Sequence, residues 1–204
     1  MEIIHAQKTA LTQVIHFLHA KGWAPATSSN YSFRMGGESN FYVSQSGKDK
    51  GDFTAADFMY VSAEGKPLED ARTPSAETAL HCLLYQSYPE VHCILHTHTA
   101  LNTILSQHFQ KERELVLENY EVLKGFSGIK THEVSVKIPI FANSQNVPEV
   151  AEEVRQYQRE HPEMRAFLIA GHGMYTWGTS IPEAKRHCEV VEFLLECVYM
   201  KLRI

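Results

Sequence analysis

The segment Val91-His92-Cys93-Ile94-Leu95-His96-Thr97-His98 constrains this chain more than any other. Its apolar content and short length read as a buried strand. Residues two apart in a strand project from the same face, so His96 and His98 point the same way and can reach one metal ion. A second short apolar strand, Ala166–Ala170, runs directly into Gly171-His172-Gly173. Catalytic zinc sites take three protein ligands and keep a fourth position open, and His172, flanked by glycines that permit close approach, is the natural third ligand. His81, His92, His132 and His187 compete for that position. Cys93 does not, because it projects from the opposite face of the strand to His96 and His98 and sits inside the apolar run.

Around these two strands the pattern alternates. Leu11, Val14, Ile15 and Leu18 form a helical stripe that stops before Gly22. Strands are expected at Tyr31–Arg34, Phe41–Val43 and Phe58–Ser62, the last before a Glu64-Gly65 turn. Ser75 is placed as the N-cap of a helix carrying Leu80, Leu83 and Leu84. Short helices are expected at Thr99–Gln107 and Tyr120–Gly125, and a strand at Glu133–Phe141. Pro148 opens an amphipathic helix, and a long C-terminal helix carries Val190, Val191, Leu194, Leu195 and Val198 on its inner face. The alternation lacks a regular βαβ rhythm. An α/β sandwich, with a central mixed or antiparallel sheet flanked by helices, fits it better than a dinucleotide-binding fold. With no repeat, linker or low-complexity segment, residues 1–204 are expected to form one domain.

Composition removes several function classes. A net charge of −5 lacks the basic footprint of a nucleic-acid binder. No apolar run approaches the ~20 residues that span a bilayer. Met1–Thr9 lacks the basic and apolar regions of a signal peptide. Cys82, Cys93, Cys188 and Cys197 show no C-x-x-C spacing and lie in apolar stretches, which suits buried thiols in a reducing cytoplasm.

Two polar turns, Ser28-Ser29-Asn30 and Ser46-Gly47-Lys48, each adjoin an expected strand. Such turns offer backbone N–H groups and hydroxyls to a phosphate, Lys48 adds a point charge, and Ser75 at a helix start adds the helix dipole. None is a P-loop.

These motifs together (Ser28-Ser29-Asn30, Ser46-Gly47-Lys48, Pro74-Ser75-Ala76-Glu77, His96-Thr97-His98 and Gly171-His172-Gly173) resemble those of the class II aldolase/adducin-type superfamily over nearly the whole chain, from Gly22 to Leu195. The stretches Trp23–Phe33, Ser46–Gly51, Pro74–Thr78, Glu118–Gly125 and Gly171–Gly178 are most similar to its dehydratase branch, which acts on a phosphorylated keto-pentose bearing a methylthio group. The resemblance implies one zinc ion per subunit on His96, His98 and His172. It also implies phosphate contacts from Ser28, Ser29, Asn30, Ser46, Gly47, Lys48 and Ser75. It implies a cytoplasmic homotetramer with sites near subunit interfaces, and a dehydration in methionine salvage in which Glu121 is the acid/base. Glu77 stands where the superfamily's aldolases keep their acid/base glutamate, and is expected to assist. A class II aldolase or epimerase acting on another sugar phosphate, and a metal-free structural module of the adducin type, are the alternatives. Three imidazoles also suit iron, cobalt or nickel.

Overall fold

The computed structural model describes residues 2–69 and 72–204. Among these residues, thirteen helices and strands follow one another as α1 (Glu2–Ala20), β1 (Asn30–Phe33), β2 (Phe41–Ser44), β3 (Phe58–Val61), α2 (Thr78–Ser87), β4 (Cys93–Thr97), α3 (Ala100–His108), β5 (Glu114–Glu118), β6 (Ser135–Phe141), α4 (Val147–Glu160), β7 (Ala166–Ile169), β8 (Gly173–Gly178) and α5 (Ile181–Lys201). Short 3₁₀ turns lie at Ala55–Asp57 and Glu121–Gly125. The strands form one eight-stranded sheet in the order β3-β2-β1-β4-β8-β7-β6-β5. Neighbours are antiparallel except β6 and β7, which run parallel. This is the mixed sheet flanked by helices expected from the alternation of elements.

Period-two side-chain alternation splits the core into two layers. Cys93 and Leu95 face one side with Tyr31 and Phe33, under α1, α3 and α5, where Leu11, Ile15, Leu18, Leu105, Val191, Leu194 and Leu195 close over them. Ile94 faces the other side with Phe41, Val43, Phe167, Tyr175 and Trp177, under Leu80, Leu83 and Leu84 of α2 and Val150 and Val154 of α4. Each such buried side chain contributes roughly 1.5–3 kcal/mol by leaving water. His96 sits on the second face, in register between Asn30 of β1 and Tyr175 of β8, so a polar ring enters an apolar layer at the centre of the sheet.

Three local expectations are corrected. Ser75 does not cap α2: the helix begins at Thr78 with Glu77 at the N-cap, and Ser75 lies in the preceding turn, its carbonyl accepting from Thr78 N–H at 3.0 Å. The segment 120–125 is a 3₁₀ turn at Glu121–Gly125, not an α-helix. Strands β5 and β8 are additional. In β5, Leu115 and Leu117 are buried while Val116 and Glu118 are exposed, so its charged outer face disguises it. In β8, Gly, Met, Tyr, Thr and Trp are all buried, with no alternation to read.

One buried carboxylate ties the end of β4 to α5. Glu192 accepts from Thr99 Oγ at 3.0 Å and from Asn102 Nδ2 at 3.1 Å, and so pins the start of α3 and the loop after His98. Burial pushes its carboxyl up to about 7, against the opposing pull of those two hydrogen bonds. Native Glu192 therefore holds a proton that the unfolded chain has released, and its contribution to stability declines as pH rises from the ordinary glutamate range to about 7. The difference in unfolding free energy between Glu192→Gln and the parent protein should move in the variant's favour across that window and level off above it. Denaturant titrations of the metal-free proteins at several pH values measure this, and a difference independent of pH would mean that Glu192 is not protonated in the fold.

Candidate metal centre

The antiparallel register of β4 with β8 pairs Thr97 with Met174 and His96 with Tyr175. It brings the residue just beyond β4, His98, beside the turn just before β8, which holds His172. Gly171 makes that turn with φ of +64°, a conformation that favours glycine, and His172 N–H closes it on the Ile169 carbonyl at 3.0 Å. Gly173 is required for a different reason: a Cβ there would lie 2.6 Å from the Thr97 carbonyl oxygen and 2.7 Å from His96 Cε1.

His96 is fully buried. Its Nδ1 donates to the Met174 carbonyl at 3.0 Å, which leaves Nε2 as the lone-pair nitrogen. Its ring stacks on Tyr175 at 4.1 Å, and Tyr175 stacks on Phe167 at 4.8 Å, so an aromatic column fixes the imidazole plane. His98 Nε2 approaches His96 Nε2 to 2.8 Å, and the ligand atoms of His96, His98 and His172 all lie within 4.8 Å of one another. Burial holds His96 well below the usual histidine range. Burial, with the neighbouring His172 ring, takes His98 down to about 4. Both rings are therefore neutral at pH 7, the state a metal needs. His98 Nε2–H can donate to the bare His96 Nε2 across this contact, and a divalent cation held by the three rings would take the place of that proton. On this chemistry the three residues fit a divalent metal ion.

Glu77 completes the cluster. Its Oε1 lies 2.8 Å from His172 Nε2, its Oε2 lies 3.7 Å from His96 Nε2, and Oε2 accepts from Asn30 Nδ2 at 2.5 Å. Burial opposes its ionisation, but the His172 hydrogen bond and the adjacent imidazoles hold its carboxyl down to about 2. It is thus a carboxylate aimed at the three rings.

The remaining site candidates fall into two groups. Glu121 is 68% exposed on the 3₁₀ turn, and its ion-pair partners are Lys124 and His132 at the surface. Within one chain it joins none of the three histidines. The polar turns, by contrast, lie side by side. Ser28 Oγ donates to the Pro25 carbonyl at 2.6 Å, Ser29 adopts φ of +71°, and Asn30 is buried against Glu77. Ser46 and Gly47 are exposed, while Lys48 pairs with Asp57 at 3.6 Å. Ser75 Oγ accepts from Glu77 N–H at 3.3 Å.

Lys50 holds the turns together, and sequence reasoning passed over it for Lys48. It is fully buried, and its Nζ donates to the Lys48 carbonyl at 2.8 Å and the Thr27 carbonyl at 3.4 Å. Burial draws its amine down to about 8. Nothing in Lys-Asp-Lys distinguishes the two amines. The four competing histidines lie elsewhere: His81 bonds Asn30 and Ser32, His132 pairs with Glu121, His187 bonds the Trp177 carbonyl, and the His92 carbonyl accepts from Arg34 N–H. A cavity of about 850 Å³ opens beside His98 and His172, with Pro25, Ala100 and Ile104 as apolar wall and Thr103, Asn143 and Gln145 as polar wall. Among the described residues no helix is long and apolar enough to cross a membrane.

Comparison with known proteins identifies the family and the fold. The Class II Aldolase and Adducin N-terminal domain matches residues 9–199. A methylthioribulose-1-phosphate dehydratase of Yersinia enterocolitica is 46% identical over 193 residues, covering 95% of this chain and 91% of the relative. One from Marinobacter nauticus is 43% identical over 195 residues, covering 96% and 93%. Among solved structures, an L-fuculose-1-phosphate aldolase from Thermus thermophilus superposes with a TM-score of 0.72 at 26% identity, covering 98% of this chain and 96% of that one. YgbL from Klebsiella pneumoniae shares the fold, with a TM-score of 0.80 at 19% identity, 97% of this chain and 90% of that chain.

The contact at Gly173 supplies a test of the metal centre. A methyl group in Gly173→Ala must displace the His96 ring or the Thr97 carbonyl. Zinc affinity, measured by competition with a chromophoric chelator, should fall about 10–100-fold, the usual effect of disturbing ligand orientation. Unchanged affinity would place the metal away from His96.

Proposed function

The chain belongs to the class II aldolase and adducin family, and on that premise we propose that it is a zinc-dependent dehydratase. It converts 5-methylthioribulose 1-phosphate to 2,3-diketo-5-methylthiopentyl 1-phosphate in methionine salvage, as a cytoplasmic homotetramer. The observation that carries this reading is the convergence of three imidazoles and one ionised carboxylate beside an open cavity, in a chain whose named relatives are such dehydratases.

His96, His98 and His172 would hold one zinc ion per subunit. Bound there, it supplies Lewis-acid polarisation of the substrate's C2 carbonyl and C3 hydroxyl, which acidifies the C3 proton. The protein's own groups do the rest. The turns at Ser28–Asn30 and Ser46–Lys48, with Ser75, receive the C1 phosphate on N–H and hydroxyl donors, and Lys50 keeps the first two turns in contact. Glu121 removes the C3 proton, and in its protonated form delivers that proton to the C4 hydroxyl as it leaves as water. The enol then relaxes to the diketone. Glu77, held ionised, orients His172. Pro25, Ala100 and Ile104 offer apolar wall to the methylthio tail.

Glu121 lies on the outer surface of its own chain, so in the tetramer it serves the metal centre of a neighbouring subunit. Glu121→Gln should retain zinc and lose on the order of a hundredfold or more in kcat, the scale of general acid–base catalysis. Co-assembly of Glu121→Gln chains with His98→Ala chains should restore part of the activity that either homotetramer lacks. Failure to restore it would confine the reaction to residues of one chain.

The second reading, an aldolase or epimerase on another sugar phosphate, is favoured by one feature: Glu77 is the carboxylate at the three histidines. If Glu77→Gln abolishes turnover while Glu121→Gln spares it, and the products show C–C cleavage, that reading replaces the first. A chelator should abolish turnover under either, with recovery on adding zinc.

The buried amine separates phosphate handling from chemistry. Lys50→Met should raise KM for the phosphorylated substrate about tenfold with kcat largely kept, as expected when ground-state and transition-state binding are lost together. An unchanged KM would leave Lys50 as a fold tie alone.

A further inference from the structure

On the face of β1 turned toward α2, four side chains continue inward from Glu77 in a single hydrogen-bonded file. Glu77 Oε2 lies 2.5 Å from Asn30 Nδ2, Asn30 Oδ1 lies 2.5 Å from His81 Nε2, His81 Nδ1 lies 2.7 Å from Ser32 Oγ, and Ser32 Oγ lies 2.8 Å from Tyr85 Oη. Asn30, Ser32, His81 and Tyr85 are buried, so none can exchange these partners for water. The reaction proposed above uses none of the last three.

The chemistry of each group leaves one direction for the protons. Glu77 as a carboxylate only accepts, so the Asn30 amide must present NH₂ to it and its oxygen to His81. His81 must then carry its proton on Nε2, and its bare Nδ1 accepts from the Ser32 hydroxyl. With its proton so committed, the Ser32 oxygen accepts from Tyr85 O–H. Each link determines the next, and reversing any one puts two acceptors or two donors face to face in a place without solvent, where neither can find another partner. Burial supports both ends of the file: it keeps His81 neutral, at about 3, and keeps the Tyr85 hydroxyl protonated by raising it well above the usual tyrosine range.

We propose that His81 is a positioning residue. Through its Nε2–H it locks the Asn30 amide in the orientation that donates to Glu77, and Ser32 and Tyr85 lock His81 in that tautomer. The carboxylate is thereby held at one angle to His96 and His172. Without the file, the Asn30 amide is free to turn its oxygen toward Glu77 and to push the carboxylate off the metal centre. This inference rests on the reading that Glu77 works beside a metal centre that turns over a sugar phosphate.

Two measurements decide it on the full-length protein. In the zinc-loaded parent labelled with ¹⁵N-histidine, His81 should appear as the neutral Nε2–H tautomer, unchanged between about pH 6 and pH 8, where a free imidazole would titrate. The Nδ1–H tautomer, or a titrating His81, would overturn the proposal, and this readout needs no turnover and no variant. In the second measurement, His81→Phe should keep full zinc stoichiometry and a KM within about twofold while kcat falls about 10–100-fold, the scale of losing a group that orients a ligand. His81→Gln, whose amide nitrogen can donate to Asn30 from the same position, should recover most of that loss. Equal kcat in His81→Phe and the parent, or no difference between the Phe and Gln variants, would overturn the proposal. Should the parent protein show no dehydration of the methylthio substrate, the functional reading fails, while the tautomer still decides whether the file is polarised as described.

Discussion

The pairing of β4 with β8 is the interaction on which everything else at the centre of this molecule depends. Five residue pairs from Cys93–Gly178 to Thr97–Met174 lock the two strands antiparallel. One consequence is that the end of one strand meets the beginning of the other, so His98 and His172 meet although 74 positions separate them in sequence. Another is that the Met174 carbonyl faces His96 Nδ1 and selects the ring nitrogen left for a ligand. A slip of one residue in this register would send His96 to the opposite face, among Leu95, Cys93 and the residues of α5, where no carboxylate waits.

Burial at this place has a cost, and the structure meets it with hydrogen bonds rather than exposure. Polar side chains from β1, α2 and β4 enter the layer that elsewhere holds Phe41, Ile94, Phe167 and Trp177. They come as a connected set: Asn30, Ser32, His81, Tyr85, Glu77 and the imidazoles of His96, His98 and His172. A partly satisfied set would be worse than an apolar core. The aromatic column of Phe167, Tyr175 and His96 joins this set to the hydrophobic layer, and the same packing that stabilises the sheet fixes the imidazole plane.

Glu77 and Glu192 show how far surroundings decide what a carboxyl group does. Both are shielded from water. Glu77 faces three imidazoles and an amide, and its carboxyl is held down to about 2. Glu192 faces only a hydroxyl and an amide, and burial wins, pushing it up to about 7. The first is a fixed charge beside the candidate metal centre. The second is a neutral hydrogen-bonding group that secures the loop following His98. Glu121, exposed beside Lys124 and His132, is a third case: the Lys124 hydrogen bond holds its carboxyl below the ordinary glutamate range.

Much of this was legible in the sequence. Short strand-like runs bounded by polar turns located six of the eight strands, β4 and β7 by an unbroken apolar signature and β6 by its alternation. Histidines at the tips of two such runs singled out His96, His98 and His172, which the structure brings together, since period two and flanking glycines are properties of the chain itself. The β5 strand escaped because Glu114 and Glu118 at its ends resemble a loop, and β8 because Gly173, Thr176 and Gly178 interrupt its apolar run. The sequence could place Ser28–Asn30, Ser46–Lys48 and Ser75 in turns, but it could not tell Lys48, which turns outward to Asp57, from Lys50, which turns inward to bind two carbonyls. Nor could it separate His81 from the histidine cluster, or distinguish the surroundings of Glu77 from those of Glu121. Residue types and their local period determined which chemistry this chain carries. Which groups share a proton, a charge or a buried carbonyl depended on the register of strands far apart in sequence, and only the tertiary structure decided that.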